Sequence, residues 1–156
     1  MKIFILLAYV TSYFIYAEDD YKTCYTDTYD VVIYGQFYCN GNGYQPSKVS
    51  LIEYSGYWVR SHVIQSKIFP LPKSRNKIYY FRKTQKTPKT EFSVSMEVTH
   101  SCNAYRGRPC QYTFIEHIPT SKIDCHGNER IAYTFHINLN SGNYRGRVSC
   151  TGPFGK

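Results

Sequence analysis

Val31-Val32-Ile33-Tyr34-Gly35-Gln36-Phe37-Tyr38-Cys39-Asn40-Gly41-Asn42-Gly43 is the stretch that decides the fold. In an extended chain, successive side chains point to opposite faces. Val31, Ile33, Gly35, Phe37 and Cys39 therefore share one face, and Val32, Tyr34, Gln36 and Tyr38 the other. Asn40 to Gly43 then stop the strand with residues that accept positive φ. Working outward, the same period of two recurs. Val49, Leu51 and Glu53 begin a second strand that ends near Ser55-Gly56, and Trp58 to Ile64 reads as a third. Lys77 to Lys83 is a short aromatic strand. Phe92, Val94, Met96 and Val98 alternate with Ser93, Ser95, Glu97 and Thr99, which predicts a half-buried strand with a solvent side. Gln111 to Ile118 follows and is ended by Pro119. Ile131, Tyr133, Phe135 and Ile137 form another inward row, and Arg145 to Cys150 the last, weakest strand.

Seven to eight short strands separated by turns predict an all-β, antiparallel β-sandwich. No amphipathic helix lies between them, so βαβ units are not expected. The length of 156 residues suits one domain. Hydrophobic content of 42% with 17% aromatics argues against intrinsic disorder. Ten Gly and seven Pro without a period exclude a collagen-like chain.

Residues 1–17 read as a secretory signal peptide: Lys2, an apolar run from Ile3 to Tyr16, then Ala17 before Glu18-Asp19-Asp20. The run is short of the ~20 residues a spanning helix needs, and no later segment approaches that length. The chain is therefore expected to be secreted and not membrane-spanning. The organisation expected is residues 1–17 as leader, 18–28 as an N-terminal extension, 29–139 as the sandwich and 140–156 as a C-terminal extension.

An even number of cysteines in a small secreted chain reads as a disulfide framework. The six are Cys24, Cys39, Cys102, Cys110, Cys125 and Cys150. Cys102 and Cys110 are close and flank a Gly and a Pro, which points to a local loop-closing bridge. Cys24 and Cys150 lie near opposite termini and could be tied together. The sequence alone leaves the pairing of Cys24, Cys39, Cys125 and Cys150 open. There is no Asn-x-Ser/Thr sequon.

Charge is unevenly spread. After the leader the net charge is +7, yet residues 54–90 carry nine basic side chains and no acidic one. The remainder is slightly acidic. Lys73, Arg75, Lys77, Arg82, Lys83, Lys86 and Lys89 are the candidate contacts for an anionic partner, a sulfated glycan or phospholipid headgroup. Secretion makes nucleic acid the wrong anion. The competing reading is a solvated edge strand, in which lysines block edge-to-edge aggregation. The 14 tyrosines beyond the leader could supply an adaptable contact surface or fill the core.

Two motifs occur in order. The first is Tyr34-Gly35-Gln36-Phe37-Tyr38-Cys39-Asn40-Gly41 followed by Val49-Ser50-Leu51. The second is His100-Ser101-Cys102-Asn103, then Pro109-Cys110-Gln111, a β run and Ile118-Pro119. Together they resemble the nematode transthyretin-like family, and the likeness runs from about Tyr29 to Leu139, leaving Cys24 and Cys150 outside it. It implies a transthyretin-like β-sandwich and a secreted, non-enzymatic binding or signalling module, with no cofactor. Extracellular protein, lipid or glycan are the partners that fit.

Three chemistries compete with that expectation. Transthyretin's enzymatic relatives hydrolyse 5-hydroxyisourate and end in Tyr-Arg-Gly-Ser; here Tyr144-Arg145-Gly146 is followed by Arg147, and no His precedes His62. Tyr105 to Gly107 repeats the tripeptide in a turn-like loop. His100 with Cys102, or Cys125 with His126, could share a metal, but neither has the paired Cys-x-x-Cys spacing of structural zinc sites. A thiol nucleophile at Cys102 would need an accessible, low-pKa sulfur. A purely structural, surface-coat protein is the remaining alternative.

Overall fold

A computed structural model describes residues 21–55, 59–68, 79–104, 110–126 and 131–150. The described residues hold ten strands: β1 (Thr28–Cys39), β2 (Asn42–Tyr44), β3 (Lys48–Ser55), β4 (Val59–Ile68), β5 (Tyr79–Lys86), β6 (Phe92–His100), β7 (Cys110–Ile118), β8 (Ile123–Asp124), β9 (Ala132–Asn138) and β10 (Arg147–Cys150). The eight expected strands are all present with shifted ends. The two additional ones, β2 and β8, are three and two residues long.

The strands form two sheets. One runs β10-β7-β6-β3-β4, and in the other β1 pairs with β2, β5, β8 and β9. Every pairing is antiparallel except β1 with β9, which run parallel from Val32↔Ala132 to Tyr38↔Asn138. A parallel neighbour needs a long crossover. Here the crossover is the second sheet itself, because β3, β6 and β7 intervene between β1 and β9. Local alternation cannot register such a pairing.

β1 and β2 form a hairpin with Cys39 opposite Asn42. The two residues between them, Asn40 and Gly41, have φ of 52° and 74°. Two consecutive positive φ values are what a tight two-residue hairpin demands, and Asn-Gly supplies them with little strain.

The core lies between the sheets. Val31, Ile33 and Phe37 of β1 and Phe135 and Ile137 of β9 meet Val49, Leu51, Val94, Met96, Val98, Phe114 and Ile118 of the other sheet. Tyr29 and Phe92 meet across the gap with ring centroids 4.5 Å apart. Gly35 falls on this inward face, where β9 lies so close that a Cβ would sit 2.1 Å from the Phe135 carbonyl oxygen.

Three disulfides join distant parts of the chain: Cys24–Cys125, Cys39–Cys102 and Cys110–Cys150. The expected Cys102–Cys110 bridge is not formed, nor is a Cys24–Cys150 tie. β6 and β7 pair from Val94↔Ile118 to His100↔Tyr112, so Cys102, two residues past the end of β6, and Cys110, the first residue of β7, lie at the same end of neighbouring strands. Each meets a nearer sulfur. Cys102 faces the end of β1 in the opposite sheet, and Cys110 is directly across the ladder from Cys150 of β10. The Cys39–Cys102 bridge clamps sheet to sheet. Cys24 and Cys150 are stitched to the sandwich by Cys125 and Cys110.

Among the described residues, no helix is long and apolar enough to cross a membrane.

Candidate functional site

The described parts of the basic segment form two lateral strands, β4 and β5. β4 is the edge of its sheet, and β5 pairs with β1 from Thr28↔Lys86 to Gly35↔Tyr79. Strand β4 carries Arg60 opposite Tyr54 and Lys67 opposite Val49. Lys83 and Lys86 of β5 are exposed, as is Lys89 in the turn that follows. Arg82 stands opposite Val32 in the ladder. Lys73, Arg75 and Lys77 lie outside the described residues. The end of β5 is tied down by the Thr87 N–H, which donates to the Asp27 carbonyl at 2.9 Å. The structure therefore brings Lys83, Lys86 and Lys89 to one flank. It also makes that flank an edge, where lysine serves either purpose the sequence suggested.

A buried carboxylate lies behind this flank. Glu53 of β3 is only 3% exposed. It accepts a 2.6 Å hydrogen bond from the Tyr29 hydroxyl of the opposite sheet and lies 3.3 Å from His62 Nδ1 on β4. A buried carboxylate without partners would cost several kcal/mol. Here the pair of partners spans both sheets, and burial followed by the Glu53 hydrogen bond pushes the Tyr29 phenol up.

The residues of the alternative chemistries have other work. All six cysteines are in disulfides, so Cys102 has no thiol to attack with and Cys125 none to bind zinc. His100 is fully buried between Tyr112 and Phe114. Its Nδ1 accepts from the Cys102 N–H at 3.2 Å, so Nε2 carries the proton and donates to the Tyr144 carbonyl at 2.8 Å. Burial lowers its pKa, which keeps the ring neutral. Among the described residues, no group of three His, Cys, Asp or Glu side chains could hold a metal ion.

Tyr144-Arg145-Gly146 is an anchoring turn. Tyr144 packs on Phe114, with ring centroids 4.9 Å apart, and holds His100 by its carbonyl. Gly146 has φ of 52°, and a Cβ there would lie 2.1 Å from the Thr113 carbonyl oxygen. The residue must be glycine for β10 to dock on β7. The repeat at Tyr105 to Gly107 lies outside the described residues. Ser95 Oγ and His117 Nδ1 are 2.8 Å apart, but Ser95 is fully buried, which closes it to any substrate.

A cleft of about 430 Å³ opens beside the Cys24–Cys125 bridge, with Lys22, Tyr25, Ile123, Asp124 and His126 in its wall. It lies on the far side of β1 from β5. Asp124 there is committed to the backbone N–H of His126, at 2.8 Å.

One surface was not visible in the sequence. On the outer side of the β1 sheet, the parallel pairing sets Tyr34 beside Thr134, Gln36 beside His136 and Tyr38 beside Asn138. The signal was present in β9 as the polar row Thr134, His136, Asn138 alternating with the apolar one. Nothing in the alternation says that this row adjoins Tyr34, Gln36 and Tyr38. No protein-family model, curated protein or solved structure matches the chain.

Proposed function

We propose that this chain is a secreted, non-enzymatic binding module of the transthyretin-like kind that docks on an anionic extracellular surface through its β4–β5 flank. The observation that carries the proposal is that the described part of this basic segment forms the lateral strands β4 and β5, which bear Arg60, Lys67, Arg82, Lys83 and Lys86, with Lys89 in the turn after β5, within a stretch, residues 54–90, that has nine cationic and no anionic side chains. Lys83, Lys86 and Lys89 stand in solvent there. Long-range attraction from such a cluster concentrates polyanions near the surface. Three disulfides suit an oxidising compartment, in keeping with the leader-like residues 1–17. The transthyretin-like assignment rests on the two sequence motifs.

The test is salt dependence. Binding to immobilised heparin and to phosphatidylserine vesicles is measured from low to physiological ionic strength. The affinity for at least one falls steeply with salt, because exposed charges are screened over roughly 10 Å at 0.1 M. Lys83→Gln, Lys86→Gln and Lys89→Gln together flatten that slope. An affinity for both that is absent or indifferent to salt leaves the lysines as edge protection only.

A further inference from the structure

The outer face of the β1 sheet is aromatic and polar. Along β1 its positions are Thr28, Asp30, Val32, Tyr34, Gln36 and Tyr38, flanked on β9 by Ala132, Thr134, His136 and Asn138. None of these is buried, although β1 is a central strand. Tyr34 is 41% exposed. Tyr38 and His136 lie side by side, ring centroids 6.4 Å apart and planes within 23° of parallel. The Tyr38 hydroxyl donates to the Gln36 amide oxygen, which steadies both. At the Tyr38 end the face runs into exposed amides: the Asn40 N–H donates to Asn140 Oδ1 at 2.8 Å, and Asn140 Nδ2 to Asn40 Oδ1 at 2.7 Å. At the other end it runs into exposed Lys86 and Thr84, while Val32 and Tyr34 stand opposite Arg82 and Tyr80 in the ladder.

We infer that the anionic partner is an acidic polysaccharide, whose sugar rings lie along this face while its acid groups meet the basic β5 edge. The inference rests on the anion-binding reading of the β4–β5 flank and names its ligand. The chemistry of the face selects a sugar. A pyranose presents a flat apolar C–H face with hydroxyls around its rim. Aromatic rings take the first, and planar amides and hydroxyls with free donors and acceptors take the second. Tyr34, Tyr38 and His136 supply rings, and Gln36, Thr134 and Asn138 the rim contacts. Tyrosine gives such contact area at low entropy cost.

Shape and charge point the same way. Twelve residues of β1 at about 3.3 Å each make a track of roughly 40 Å, long enough for several sugars. This side of the sheet carries two carboxylates, Asp30 and Asp124, paired across the β1–β8 ladder; Asp124 accepts from the His126 N–H, and Asp30 sits between β5 positions bearing Lys86 and Arg82. A lipid surface would instead call for exposed aliphatic side chains. Those of this face, Val32 and Ala132, are half-buried, whereas the exposed Val63, Ile115 and Val148 belong to the other sheet.

The experiment measures binding of the disulfide-bonded protein to heparin fragments, to unsulfated hyaluronan and to phosphatidylserine vesicles. The variants are Tyr34→Ala, Tyr38→Ala and His136→Ala combined, and Tyr34→Phe with Tyr38→Phe as the ring-preserving pair. Thermal melts show whether each is folded. The ring-less variant should lose roughly tenfold or more in polysaccharide affinity, the size of a lost aromatic contact, with its salt slope unchanged. The Phe pair should retain most of the affinity. Full polysaccharide affinity in a folded ring-less variant overturns the inference and leaves the basic flank standing. Binding to vesicles but to neither polysaccharide does the same. Binding to no polyanion overturns both.

Discussion

β1 and β6 are the central strands of the two sheets, and their outer faces could hardly differ more. Both alternate in sequence. On β1 the alternation of residue type becomes an alternation of burial: Tyr29, Val31, Ile33, Gly35 and Phe37 are buried, and the residues between them are not. On β6 it does not. Ser93 and Ser95 point away from the core yet are 3% and 0% exposed. Side-chain size relative to neighbours explains the contrast. The outward residues of β1 are Tyr, Gln and Tyr, which project past their neighbours into solvent. Those of β6 begin with serines, which Tyr54, Ile52 and His117 flank at paired positions and overtop. A polar residue on a strand thus marks the face away from the core without marking solvent. The outer side of β6 is closed at Ser93 and Ser95, with Ser95 bonded to His117, and half-buried at Glu97 and Thr99, whereas no outward residue from Thr28 to Tyr38 of β1 is buried.

The largest effect is expected at the inner face of β1. Gly35→Ala drives a Cβ into the Phe135 backbone and should cost about 3 kcal/mol or more, read as a lower denaturation midpoint. Next is the closed outer face. Ser95→Asp buries a charge among groups already paired and should cost about 2–3 kcal/mol. Tyr34→Gln at the equivalent outward position of β1 should stay within about 0.5 kcal/mol of the parent. If the two substitutions cost the same, the outer faces do not differ as described.

Smaller effects come from titration. His100, at the end of β6, is held neutral by burial, so its folded pKa lies below its unfolded value. The unfolded chain then binds more protons in acid. The stability this residue contributes is complete above about pH 6.5 and is lost as the pH falls from there toward the folded pKa. Denaturation midpoints against pH should show the decline, and His100→Phe should flatten it. Tyr29, on the inner face of β1, has its pKa raised by burial and by Glu53, and burial also raises Tyr44, Tyr133 and Tyr144. Their contribution is complete below about pH 10 and is lost as alkali ionises the unfolded chain first. Part of the phenolate absorbance should accordingly appear only as the protein unfolds.

Most of the fold was legible as period-two alternation, because a sheet with a buried face imposes that period on the sequence. The inward rows of β1, β6 and β9, and the Asn40-Gly41 turn, follow from residues close in the chain. The basic block was legible as composition. The placement of its described part on two lateral strands was not, because edge position depends on which strands pair. The same holds for the cysteines. Their even number points to disulfides, but sequence proximity suggested Cys102–Cys110, whereas the ladder and the facing sheet bring Cys110 to Cys150 and Cys102 to Cys39.

What the sequence determined by itself is local: which residues extend, which face inward and where the chain turns. Those depend on backbone preference and on removing alternate side chains from water. What only the tertiary structure decided is adjacency. The parallel β1–β9 pairing, the joining of Tyr34, Gln36 and Tyr38 to Thr134, His136 and Asn138, and the seating of Glu53 between Tyr29 and His62 each unite residues far apart in the chain. Such neighbours are selected by closing two sheets over one core, a condition no short stretch of sequence carries.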